Sequence, residues 1–289
     1  MYSLLLVIGL GLFHTVTASW DGLLEKYASC MNESTYALLH RQCHDFAAGA
    51  APKIADACIK QIPIVENFEP IVHVDEQNHP RIKVMQESEF MLAHQRAEDI
   101  DPRSDKHGFV RQRVYDALVA MIDELDKIAP HFGYEAGELE IRLFEGLRDL
   151  GTQKELFDSK LAIIKEKNPH MTDEQAYQEA CKYISPYINN VPVHSTGAAV
   201  DIHLWSNKKQ SFCNFGAFNV GGAFSPTFTL VDGLTEEQML HRLLIAIAAT
   251  QAGLTNYVYE FWHFSLGDRY ACYWREDQAD ARVACYNSL

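Results

Sequence analysis

Two short segments hold the side chains of this sequence best suited to chemistry: His194-Ser-Thr-Gly-Ala-Ala-Val-Asp201 and Glu260-Phe-Trp-His263. Together they carry two imidazoles and two carboxylates. Hydrolytic zinc takes three protein nitrogen or oxygen ligands, leaves one position open for water, and works beside a carboxylate that moves protons without binding the metal. His194, Asp201 and His263 can ligate, which leaves Glu260 as the base. Spacing alone keeps a rival ligand open, because His203 shares a strand face with Asp201. Taken singly, these residues have plainer readings: a hydrogen-bonded loop histidine, a solvated strand-end aspartate, a glutamate paired with Arg269.

Such side chains need elements to hold them. Residues 198–205 are apolar and β-branched enough to form a strand, and Ser195-Thr196-Gly197 before them reads as a turn that returns His194 to Asp201. Thr172-Asp-Glu-Gln175 and Thr235-Glu-Glu-Gln238 are capping boxes that open helices, the second closed by Gly253 as a left-handed cap. Residues 109–127 place Val110, Val114, Leu118, Met121, Ile122 and Leu125 at helical spacing. Leu139, Ile141 and Leu143 alternate with Glu138, Glu140 and Arg142, the period of a half-buried strand that delivers Arg148 just past its end. Glycine-rich phosphate loops and βαβ repeats do not occur, so the expected class is α+β, a small antiparallel sheet flanked by helices.

In H-x-x-G-x-A-x-D followed by E-x-W-H, the sequence resembles the VanX-type D-alanyl-D-alanine dipeptidases, zinc enzymes related to the D,D-carboxypeptidases. The likeness extends through Gly233-Leu-Thr-Glu-Glu-Gln238, Ala252-Gly-Leu-Thr-Asn-Tyr257 and His263-Phe-Ser-Leu-Gly-Asp268. It implies a hedgehog/D,D-peptidase-like fold and one Zn2+ per chain held by His194, Asp201 and His263, not His203. It further implies Glu260 as proton carrier and hydrolysis of the D-alanyl-D-alanine dipeptide to two D-alanines. Glu145-Gly-Leu-Arg148 resembles the family's D-G-Y-R-P, which implies that Arg148 stabilises the transition state. Ser195 and Thr196 are expected to help position substrate. Trp262 is expected to be a packing wall beside Glu260.

Three positions depart from the family pattern. Pro192 stands where the family has a serine, Asp149 where a proline follows the arginine, and Asn219 where an aspartate receives the substrate amine. They bear on substrate choice more than on chemistry. Two alternatives therefore stay beside the dipeptidase: a D,D-carboxypeptidase acting on peptidoglycan stem peptides, and a non-catalytic zinc-containing binding module. A serine peptidase has only Ser206-Asn-Lys-Lys209 in its favour and lacks a K-T-G partner.

With 289 residues, 47% of them hydrophobic, the chain can bury one sizeable core. Lys and Arg number 25 against 39 Asp and Glu, a formal charge of −14 with no basic run, which argues against a nucleic-acid partner. The expected partner is a small D-dipeptide. Residues 1–18 carry no charged side chain and read as a secretory signal cleaved before Ser19, too short in its apolar run to span a bilayer. Export to the periplasm or the extracellular space follows, with the cytoplasm as alternative, and no stable membrane insertion after cleavage.

Residues 19–65 form a helical extension, with helices expected over 20–28, 34–48 and 52–61, and 66–289 the peptidase domain. Residues 63–80 read as a linker. Seven cysteines show no zinc-finger spacing, although in an exported chain some of Cys30, Cys43 and Cys58, or Cys272 with Cys285, are expected to pair. His40 and His44, one helical turn apart, read as an ordinary surface pair.

Overall fold

The structure, a computed structural model, describes residues 19–89, 104–181, 184–216, 227–231, 233–275 and 282–289. The expected leader and Asn219 lie outside these residues. The two longest strands, β4 (Leu139–Glu145) and β5 (Ala199–Ser206), form the middle of a sheet ordered β2 (Ile82–Val84), β4, β5, β8 (His263–Ser265), β7 (Thr255–Asn256), with β6 (Ser211–Phe212) on the far end of β5. β2 joins β4 in parallel, while β4, β5, β8 and β7 pair antiparallel. Two more strands, β1 (Ile71–His73) and β3 (Phe109–Arg111), form a separate antiparallel ladder.

Successive strand residues point to opposite faces, and here the two faces have different work. Leu139, Ile141 and Leu143 with Val200, Ile202 and Leu204 join the apolar faces of α4 (Gln112–Ile128) and α7 (Glu236–Gln251) in the main core. Both expected capping boxes form, on α7 and on α6 (Asp173–Ala180), with Thr172 and Thr235 accepting from the third helical amide. α1 (Trp20–Lys26) and α2 (Glu33–Ala47) pack on the same core through Trp20, Leu23, Leu24, Leu39 and Cys43.

Several elements differ from expectation. All seven residues of β4 are buried, not every second one, because Glu140 and Arg142 on its polar face pair with each other and with Lys83 and Glu89. Residues 109–111 leave the expected helix to form β3, since Phe109 and Val110 suit a ladder and the Arg111 amide donates to Gly197. The expected linker contains β1. Of residues 52–61 only α3 (Ala57–Lys60) is helical. Two unexpected helices appear, α5 (Leu150–Lys167) and α8 (Arg269–Arg275). α5 packs with α6 around Phe157, Ile164, Ala176 and Ala180, a small core of its own. None of the expected disulfides forms: the seven cysteines, all among the described residues, are unbridged. Among the described residues no helix is long and apolar enough to cross a membrane.

Candidate metal centre

Sheet register assembles the site. Asp201 pairs with Glu145 of β4 on one side and with His263 of β8 on the other, so three ionisable residues lie in a row across three strands. The register of β4 shifts between Leu143 and Glu145, and a bulge of this kind re-aims the side chain that follows it. His194 enters from a short 3-10 turn, Val193–Thr196, closed by Gly197 at φ 70. A side chain at that φ is strained, and the turn is what folds His194 back onto Asp201. Arg111, almost wholly buried, grips it with Nε on the Thr196 carbonyl at 2.8 Å and its own amide on the Gly197 carbonyl at 2.8 Å.

His194 Nε2 lies 3.1 Å from His263 Nδ1, the Asp201 carboxylate is 2.9 Å from His263 Nδ1 and 3.4 Å from His194 Nε2, and all three residues are buried. They form the one His, Cys, Asp or Glu cluster among the described residues able to hold a metal ion. His194 Nδ1 donates to the Gly146 carbonyl at 2.9 Å, which turns Nε2 toward a second histidine nitrogen and a carboxylate. Such a convergence can hold a cation. With bonds of about 2.0–2.1 Å, a tetrahedral zinc sets its ligand atoms about 3.3 Å apart, close to the spacings found. The residues therefore fit zinc.

Glu260 reaches the same place because the chain bends between β7 and β8. The Glu260 amide donates to the Tyr257 carbonyl at 2.8 Å and the His263 amide to the Glu260 carbonyl at 3.1 Å, which sets the Glu260 carboxylate 3.8 Å from His263 Nδ1. Burial drives the Glu260 carboxyl up, Asp201 adds to this, and His263 and Arg148 oppose it, leaving it at about 7. Burial also raises Asp201, but His194 and His263 outweigh it and the net shift is downward. Two neighbouring carboxyls are thus driven apart, one to stay ionised and one to exchange protons near neutral pH.

Arg148 donates its amide to the His194 carbonyl at 3.2 Å, and its guanidinium meets Glu145 at 3.2 Å within the electrostatic reach of Asp201 and Glu260. The Thr196 hydroxyl is committed to its own turn, donating to the Val193 carbonyl at 2.6 Å, and Ser195 Oγ is buried without a partner. Trp262 packs against Phe261, at a ring separation of 4.8 Å, and the Met85–Phe144 cluster. His203 lies among Phe144, Phe212, Phe215 and Phe261, outside the metal cluster. The Ser206 hydroxyl donates to Glu138 at 2.6 Å and Lys209 sits over the Tyr134 ring, so that pair is structural.

Sequence reasoning missed Arg111, Gly146 and Gln153. Gly146 is required because a Cβ there would run into the Phe109 and His107 carbonyls. Only its place between Glu145 and Arg148 could have drawn notice.

No family model and no curated protein matches the chain. Among solved structures, the LD-carboxypeptidase LdcB, described as revealing the basis of peptidoglycan recognition, is 19% identical over 78% of this chain and 85% of its own, at a TM-score of 0.39. A zinc complex of the vancomycin-resistance D,D-pentapeptidase VanY is 18% identical over 57% of this chain and 76% of its own, at a TM-score of 0.28. VanYB in complex with D-alanine-D-alanine is 18% identical over 57% and 75%, also at 0.28. Function is read from the site itself.

Proposed function

We propose that this chain is a zinc-dependent peptidase that hydrolyses the D-alanyl-D-alanine dipeptide to two D-alanines. One observation carries the reading: two imidazole nitrogens and a buried carboxylate converge within about 3.4 Å of one another, beside the carboxyl of Glu260. Zinc, when bound there, supplies Lewis acidity to a substrate carbonyl and to water. Glu260 takes a proton from the attacking water and later hands it to the leaving amine, a task suited to a carboxyl whose proton affinity burial raises. Arg148 faces the charge that develops on the carbonyl oxygen, where a prepositioned donor gains more than it does with the uncharged substrate. His194, oriented through Gly146, and Asp201 hold their places throughout. Export through a leader at residues 1–18 belongs to the same reading.

The VanY structures are named for a D,D-pentapeptidase and LdcB for an LD-carboxypeptidase, so the second reading is a D,D-carboxypeptidase trimming peptidoglycan stem peptides. The deciding experiment measures D-alanine release from the dipeptide and from a stem pentapeptide by purified protein, after chelation and after zinc restoration. Zinc-dependent release from the dipeptide supports the first reading. Release from the pentapeptide alone supports the second, and one bound zinc with no release from either leaves a binding module.

A further inference from the structure

We propose that Gln153 is a positioning residue for Arg148, and that the α5–α6 hairpin thereby becomes part of the active site; the inference rests on the peptidase reading. Arg148 is gripped from two sides. Its Nη2 meets Glu145 at 3.2 Å, and its Nη1 donates to Gln153 Oε1 at 3.2 Å. Gln153 is 1% exposed, unusually low for an amide side chain on a helix. Its Nε2 donates to the Ser185 carbonyl at 2.7 Å, beyond the end of α6. That bond fixes the amide with its oxygen toward Arg148, because the flipped amide would set donor against donor and acceptor against acceptor.

The helix that carries Gln153 starts two residues after Arg148. Asp149 is its N-cap: Oδ1 accepts from the Thr152 amide at 3.0 Å, and Oδ2 accepts from the hydroxyls of Thr152 and Ser104 at 2.8 and 2.9 Å. The Gln153 amide closes the first turn on the Asp149 carbonyl at 3.0 Å. One helical turn therefore brings Gln153 back over the guanidinium.

A neutral partner at this place has a physical reason. Glu145, Asp201 and Glu260 all attract Arg148, and a further carboxylate would draw it away from substrate and quench its charge. An amide oxygen fixes the guanidinium plane and leaves the positive charge for the reaction.

Gln153→Met keeps the volume and removes both hydrogen bonds. The expected result is a kcat lowered about tenfold with KM changed by less than about twofold, since Arg148 acts on charge found only in the transition state. The loss should vanish in an Arg148→Ala background, where Gln153 has nothing left to position. An unchanged kcat, or an equal loss in both backgrounds, overturns the proposal. Should Gln153→Met fail to fold, Gln153→Asn, which keeps the amide and shortens its reach, is expected to give the same pattern. Nitrogen-15 spectra of arginine-labelled protein should show slow rotation of the Arg148 guanidinium in the wild type and faster rotation in the variant; equal rotation in both overturns the proposal. A restrained guanidinium in a protein that cleaves no D-alanyl peptide counts against the peptidase reading and supports the role of Gln153.

Discussion

Strands β4 and β5 carry two clusters of charge, each built on buried residues of the sheet, and the two are built oppositely. In the first, Arg142 donates to Glu140 at 2.6 Å and to Glu89 at 3.4 Å, while Lys83 reaches Glu140 at 3.3 Å. Two cations meet two carboxylates there. Glu138, next along the chain, accepts from the Ser206 hydroxyl and the Glu135 amide. In the second, Glu145, Asp201 and Glu260 surround a single guanidinium, and Glu145 Oε1, Arg148 Nε, His263 Nε2 and Asp268 Oδ2 are buried without partners. The first cluster satisfies itself. The second holds acceptors and charge beyond what the protein supplies, a state that costs stability unless something bound completes it. Burial of charge alone thus does not mark a site; unmet demand does.

Removing a ligand breaks this contrast most severely. Asp201→Ala is expected to lose zinc and hydrolysis together, read by metal analysis beside D-alanine release; full activity without zinc would end the distinction between the clusters. Glu260→Gln should keep its zinc while kcat falls on the order of 10²- to 10⁴-fold. A base works ionised, so wild-type activity should fall as the pH drops through the Glu260 midpoint, at about 7 without metal and lower once a cation sits beside it. A pH profile with no acid limb would reassign the base.

At the self-satisfied cluster the sign reverses. Arg142→Met leaves the buried Glu140 with Lys83 alone and the half-buried Glu89 without its partner, and should cost about 1–3 kcal/mol in denaturant unfolding, with kcat and KM unchanged. A kinetic loss there would mean that the clusters communicate. The smallest effect is expected at the cap: Asp149→Ala should cost about 1 kcal/mol of stability. Hydrogen bonds, first the Thr152 amide, hold the Asp149 carboxyl down at about 2, below the ordinary 3.8. A depressed carboxyl stabilises above its unfolded value, so the gap between wild type and variant should be full above about pH 4 and close as the pH falls toward 2.

How much was legible in the sequence follows from how local each feature is. The capping boxes at Thr172 and Thr235 and the turn at Gly197 each lie within a few residues and formed as their chemistry predicts. Helix α5 stayed hidden because it buries little beyond Gln153, Phe157 and Ile164, while its exposed Leu150 and Ile163 blur the apolar stripe. Glu140 and Arg142 misled in the other direction, since charged residues at alternate positions imply a wet face until partners on neighbouring segments dry it.

By itself the sequence determined the inventory: two histidines and two carboxylates in two short motifs, an arginine beyond a strand, and the signals that start and stop the helices around them. Propensity, capping and turn conformation depend on neighbours along the chain, so they can be read there. Only the tertiary structure set Glu145, Asp201 and His263 in one row, placed His203 in an aromatic pocket instead of the metal cluster, and laid Gln153 against Arg148. Convergence of this kind is fixed by strand register and by one bulge in β4, and a slip of a single residue would turn each side chain to the opposite face.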